Sequence, residues 1–469
     1  MNRVSPALVA AALATAALVV TALPAQVPTY RVEFLGAGPT GSSGPVALAA
    51  VNDEGEAVGN TTVAGLRRSF VASPGSGVQL LPMPAGGTWT EAFDINSVGA
   101  VVGFALIQGT GSRAVVWSRD PLGSYQPQLL PPPAGTGTLP TDARAVNEAG
   151  DVVGKLGIFG SYVWRAGVGT IALAGFPAIA EDINEERQII ADTYRMDLDT
   201  MLLENLGNPT GTGFNYLFTD LWRINSAGQC GGYGNVATGQ SQSKQAVRYS
   251  DGPAWLAFNA QPVIAANVMG IAENGDTAYH LGAVTSGSYL FVDGYGSIAV
   301  SALVDPAYSQ WSVTGAVAPV ISRGGRILAI GTNATTNQSG LVLLTALPFD
   351  DLGDALAGSR GTPVLTGYGT LMQNGAVRMR AASMAPGSFA VLAVAIAANP
   401  TPLLGGIVHP DLAGAVLLPF LTDSMGRFDS TLQLPFVVTG MDLFQQAAVL
   451  DAAAPFGVAF SNALGGTAQ

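Results

Sequence analysis

The chain has 469 residues, only 11% of them charged, with 60 Gly, 29 Pro and a net charge of −12 at pH 7. With 48% apolar residues it has far too much core-forming material for a disordered chain, and its 20 Lys and Arg are too few and scattered for a phosphate-binding surface. Nucleic acid is therefore excluded as a partner, and the many turn formers point to an all-β protein.

The N-terminus "MNRVSPALVAAALATAALVVTALPAQ" has one early positive charge, Arg3, then an uncharged apolar run from Ala7 to Leu23 and small residues before Gln26. This reads as a signal peptide over residues 1–25, with an uncleaved anchor as the rival reading. Either way the rest is exported, to the cell surface, the periplasm or the medium. No later stretch is apolar for long enough to span a membrane once the signal is removed. Cys230 is the sole cysteine, so no internal disulfide forms and packing alone must hold the fold. Only two histidines, His280 and His409, could serve it as a base, and Cys230 is read as a small buried residue.

From residue 50 onward one motif recurs: an apolar residue, Asn, two variable residues and Gly. It occurs at Asn52/Gly55, Asn96/Gly99, Asn147/Gly150 and Asn225/Gly228. Degenerate copies stand at Asn184/Arg187, Ala272/Gly275 and Ser322/Gly325, giving seven copies about 45 residues apart. The turn explains the motif without a ligand: Asn is expected to bond the backbone two residues on, and Gly to take positive φ at a hairpin tip. Each copy carries strand-like pieces on both sides, such as "TEAFDIN" and "AVVGFAL". A third piece follows ("RSFVA", "RAVVW", "GSYVW", "QAVRY", "GSYLF"), then a fourth ending in apolar residues and often Pro. Four short strands per repeat is the content of a propeller blade, with an open solenoid as the alternative.

These features resemble the HAF-repeat family of bacterial extracellular proteins over residues 30–349. In this sequence Arg68, Arg113, Gly160 and Gln245 replace the His of the family's triplet. The resemblance implies an exported β-propeller-like scaffold and brings no catalytic residues. The fold expected is all-β, a seven-bladed β-propeller over residues 26–349 followed by a small antiparallel β-sandwich over residues 350–469. "YRVEFLG" at 30–36 resembles the strand that opens such proteins and is expected to complete the seventh blade, which removes a free sheet edge. "DDLGDALAGSRGTP" reads as a linker or turn region. Beyond it, "LLPFLTDSMGRFDSTLQLP" and "LFQQAAVLDAAAPFGVAFSNAL" resemble a C-terminal module of secreted bacterial proteins, implying attachment, secretion or assembly.

Catalytic motifs are sparse. "GAGPTG" at 36–41 follows a strand but lacks the helix that dinucleotide binding needs, and Cys230, His280 and His409 are too scattered for zinc. No cofactor, metal ligand set or catalytic residue is assigned. Trp117 and Trp164 share one slot of the third strand and are read as blade core. Trp89, Trp222 and Trp311 fall outside that slot and form a candidate rim for stacking on a sugar or gripping a peptide, with interblade packing as the plainer reading. Asp197 and Asp199 lie in a local concentration of acids with Glu181, Asp182, Glu185 and Glu186. Residues 191–220 break the repeat most and mark the first choice for a specialised surface. The function expected is that of an exported, monomeric, non-catalytic binding or surface scaffold with a carbohydrate or protein ligand. The alternative is a carboxylate-dependent polysaccharide hydrolase or lyase.

Overall fold

A computed structural model describes residues 27–238, 241–250, 254–259, 263–282, 287–434 and 437–468. The signal peptide expected over residues 1–25 lies outside the described residues. The described residues divide into two compact units: Val32–Leu344, and Thr345 onward together with residues 27–31. No α-helix occurs among the described residues, and no helix is long and apolar enough to cross a membrane.

The larger unit is a repeat-like all-β fold of the propeller type. Six four-stranded antiparallel sheets follow one another along the chain, each a simple meander, at 47–80, 87–129, 141–172, 182–205, 216–257 and 265–299. We number them sheets 1 to 6. Sheet 7 is built on Ile327–Asn333 and Ser339–Ala346, with Trp311–Val313 and Val320–Ile321 both pairing with Ile327–Asn333. Its outermost strand is Tyr30–Gly36, from the other end of the chain.

Alternation along the strands buries one row of side chains against each neighbouring sheet, so the core lies between sheets. Val58, Val71 and Leu81 of sheet 1 pack on Ala92, Val115 and Trp117 of sheet 2. Leu35, Leu328, Leu341 and Leu343 of sheet 7 pack on Val51, Ala57 and Phe70 of sheet 1, so the last sheet meets the first. Trp117 and Phe70 are fully buried, each contributing about 2–3 kcal/mol of apolar transfer energy. Trp164 is half-buried beside the core that sheets 2 and 3 share. Cys230 is buried with Ile190, Leu221 and Val247, and its Sγ–H donates to Gly228 O at 3.3 Å.

The recurring Asn does more than shape its own turn. In every copy the residue three positions on donates its N–H to the carbonyl at the Asn position, and in the fourth copy Arg187 takes the positive φ of 59° in place of Gly. The Asn side chain, however, bonds four residues on and not two: Asn225 Oδ1 accepts from Gln229 N at 3.0 Å, across the hairpin. Its Nδ2 then donates to the equivalent carbonyl of the next sheet. The series runs Asn52 to Asn96 O, Asn96 to Asn147 O, Asn147 to Asn184 O, Asn184 to Asn225 O and Asn225 to Ala272 O, at 2.9–3.3 Å. All five amides are buried.

Ala272 and Ser322 cannot continue this series, and Arg323 takes over. Its guanidinium reaches Glu273 (2.9 Å), Glu185 (3.0 Å) and Glu148 (3.5 Å), while Gly324 N donates to Asp53 Oδ1 of sheet 1 at 2.6 Å.

The smaller unit has one sheet formed by Asp350–Gly353, Ala463–Thr467, Asp442–Leu450, Phe389–Ala395 and Val416–Leu421, with Val458–Phe460 alongside. A second is formed by Val364–Gly369, Gly375–Ala382 and Phe428–Leu434. Both supply one core, including Leu365, Val377, Met379, Leu392 and Val449. Asp350–Gly353, expected as part of a linker or turn region, is instead a strand paired with Ala463–Gly465.

Two outcomes follow. Asn225→Ala leaves the buried Gln229 N–H without its partner and removes one of the two donors to the Ala272 carbonyl, and chemical denaturation should show a loss of about 2 kcal/mol. Arg323→Met leaves three glutamates facing one another. Burial already raises Glu185 above the ordinary carboxylate range, and Arg323 opposes the rise. A carboxyl raised on folding binds more protons folded than unfolded, so the variant's stability deficit should widen as pH rises from 5 to 8. Melting temperatures of wild type and variant across that range would show it.

Candidate functional site

The first strands of sheets 1 to 7 line a channel of about 110 Å³. In five of these strands the register slips by one residue at the same place: between Leu48 and Ala50, Ala92 and Asp94, Ala143 and Ala145, Leu221 and Arg223, and Val268 and Gly270. Each slip is a β-bulge, and the extra residue is always the one three positions before the motif Asn. A bulge re-aims its side chain, so Ala49, Phe93, Arg144 and Met269 reach the channel and Trp222 reaches its mouth.

At the end of the channel away from the Asn turns, sheets 3 to 6 frame an open cup of about 540 Å³. Trp222, Phe159 and Pro177 give it apolar faces, and Glu181, Asp192, Asp220 and Asn267 give it polar ones. Trp222 is fixed by Nε1 donating to Val268 O at 2.7 Å and by Tyr233, 5.2 Å away between centroids. Phe159 is 80% exposed, an unusual state for a phenyl ring. Asp192 and Asp220 stand at the two ends of the long fourth-repeat segment, which Leu221 N closes by donating to Asp192 O at 2.8 Å. Burial, then the neighbouring Asp192 and Glu181 charges, push the Asp220 carboxyl up to about 6. Burial also raises Asp192.

Beneath the cup, Arg223 and Met269 line both cup and channel, so the two spaces adjoin. Arg223 is turned toward backbone carbonyls, donating to Met269 O and Trp222 O at 3.0 Å. Arg144 lies over the Phe93 ring at 4.7 Å and within 3.7 Å of Asp142 and Glu181. Asp94 and Asp182 face the same space, and each accepts two backbone N–H bonds, one from a following sheet (Val146 and Ile224) at 2.9 Å. Protein surrounds both, yet each keeps part of its surface open to the channel. Burial, then Asp182, pushes Asp94 up to about 7; burial raises Asp182 to about 6 against the pull of Arg223.

The residues singled out from the sequence do not converge. Trp222 lies in the cup. Trp89 begins the first strand of sheet 2 and is 40% exposed. Trp311 belongs to sheet 7 and stacks on Phe34 at 5.5 Å. Asp197 and Asp199 share one hairpin tip at the Asn-turn end, where Asp197 Oδ1 accepts from Asp199 N and Thr200 N, and Asp199 lies 3.4 Å from Arg187. Neither carboxylate lines the cup or the channel. Among the described residues no three His, Cys, Asp or Glu side chains converge as a metal would require. Asp94, Arg144 and Arg223 were not singled out from the sequence, and Asp182 was noted only among the acids grouped with Asp197 and Asp199. Their signal was a polar residue two or three places before the Asn, in "DIN", "RAVN", "DIN" and "RIN".

No family model and no curated protein matches the chain. Among solved structures it is similar to three β-propellers. A catalytically inactive virginiamycin B lyase from Staphylococcus aureus with quinupristin is 11% identical, with a TM-score of 0.40 over 68% of this chain and 100% of that one. YCF48, solved with a bound peptide, is 9% identical, with a TM-score of 0.36 over 70% and 98%. TolB from Acinetobacter baumannii is 11% identical, with a TM-score of 0.25 over 71% and 75%.

Proposed function

We propose that the protein is an exported, non-catalytic binding protein: a seven-bladed propeller that holds its ligand in the cup over sheets 3 to 6, followed by a β-sandwich module. Export is supported by the N-terminal sequence and by the HAF-repeat resemblance. The seven blades are supported by the seven successive sheets, and by the first strand of the chain completing the last of them.

The cup carries the functional reading. It is the place where an apolar indole, an exposed phenyl ring and carboxylates with raised pKa stand together around a concave space. Ligand sites combine such an apolar wall with a few fixed polar groups. Trp222 supplies a stacking face whose own polar atom is already satisfied, as recognition of a sugar or peptide requires. The two ends of the irregular segment 191–220 contribute Asp192 and Asp220, so the part of the repeat that departs most from its pattern helps build the cup.

The test is binding of the full chain to glycan and peptide arrays. Trp222→Ala should weaken any ligand found there at least tenfold with little change in melting temperature, whereas Trp89→Ala and Asp197→Asn should leave binding unchanged. Equal binding by wild type and Trp222→Ala would overturn the assignment. Turnover of a polysaccharide lost in Asp197→Asn would favour the hydrolase alternative.

A further inference from the structure

The channel beneath the cup holds an unbalanced charge. Six carboxylates line it against three arginines. At the Asn-turn end Arg323 draws in Glu148, Glu185 and Glu273, and Asp53 is held by Gly324 N. The remaining acids, Asp94 and Asp182, form no ion pair among the described residues, because Arg223 is committed to carbonyls and Arg144 to Asp142, Glu181 and the Phe93 ring. At about 110 Å³ the space has room for a short unbranched alkyl chain. A metal is disfavoured, since no third ligand converges on the pair.

We propose that the channel receives the cationic arm of the ligand held in the cup, a primary alkylammonium whose nitrogen lies between Asp94 and Asp182. This rests on the cup being the binding surface. The ammonium takes the place of protons: burial holds Asp94 near 7 and Asp182 near 6, so Asp94 is half-protonated at neutrality and Asp182 takes up its proton near pH 6. The other charges facing the pair are Arg144, Glu181 and Arg223 around it, with Asp53, Glu148, Glu185, Glu273 and Arg323 at the closed end. An alkylammonium stays charged up to about pH 10, so the carboxyls alone set the pH dependence below that. Binding should therefore release protons and tighten as pH rises through 6 to 7.

Calorimetric titration of the full chain with pentan-1-amine and pentan-1-ol tests this. The amine should bind at least tenfold more tightly than the alcohol, lose about tenfold in affinity from pH 7 to 6 and up to about a hundredfold per pH unit below 6, and release protons to the buffer. Asp182→Asn should abolish amine binding. Because that variant also disturbs the bond to Ile224 N, its melting temperature is measured alongside, and the wild-type pH profile and alcohol comparison need no variant. Equal affinity for amine and alcohol, or a flat pH profile, overturns the proposal, as does calcium binding that depends on Asp182. A lysine-bearing tetrapeptide and 1,5-diaminopentane show whether the amine is peptide-borne or free. Trp222→Ala should weaken the peptide and spare pentan-1-amine. If it spares both, the cup reading falls and the channel site stands on the amine data alone.

Discussion

The larger unit depends on one buried amide used twice. In each of five repeats an Asn caps its own hairpin with Oδ1 and bonds the next sheet with Nδ2. Apolar packing between sheets is large in sum but indifferent to small slides, whereas a buried hydrogen bond fails when its geometry is lost. The amide series therefore fixes the height of each sheet relative to the next. Where Ala272 and Ser322 cannot serve, an ion cluster around Arg323 bridges sheets that are distant in sequence. Neutral staples act between neighbours, while charge acts across the channel.

Much of this was legible because the turn is local chemistry. Asn-x-x-Gly marks a hairpin wherever it stands, and the pieces around it, such as "TEAFDIN" before Gly99 and "AVVGFAL" after it, coincide with strands Gly87–Ile95 and Val101–Ile107. The place of Tyr30–Gly36 in sheet 7 followed from counting strands in the last repeat. What the Asn Nδ2 does was not legible, since its partner lies in the next repeat. Nor was the channel. A bulge adds one residue to a strand and breaks the two-residue period by which inward and outward positions are told apart, so alternation does not place Phe93 and Arg144 on the channel.

The candidate site was the least legible part for a related reason. Asp197 and Asp199 drew notice because acids crowd there along the chain, yet a hairpin tip uses them for its own turn. Asp94 and Asp182 are far apart in the sequence, and the acids beside Asp182 along the chain give no sign that it pairs with Asp94. Only the succession of sheets brings them to one space. The boundary residues of segment 191–220 carried more information than its middle, because Asp192 and Asp220 are the ones that reach the cup.

Sheet 7 borrows its outer strand from the beginning of the chain, and Gly324 reaches Asp53 across 271 positions of sequence. During synthesis, then, the first strand emerges long before the sheet it belongs to exists, and waits with an unsatisfied edge. Bringing such distant pieces together carries a large loop-closure entropy, although most of it is offset as the intervening sheets dock in order. Until Ser339–Ala346 is made, Tyr30–Gly36 has no partner in its own molecule, whereas the same strand of a finished neighbouring molecule fits it equally well. The join that completes one molecule is thus also the place where two molecules can exchange first strands.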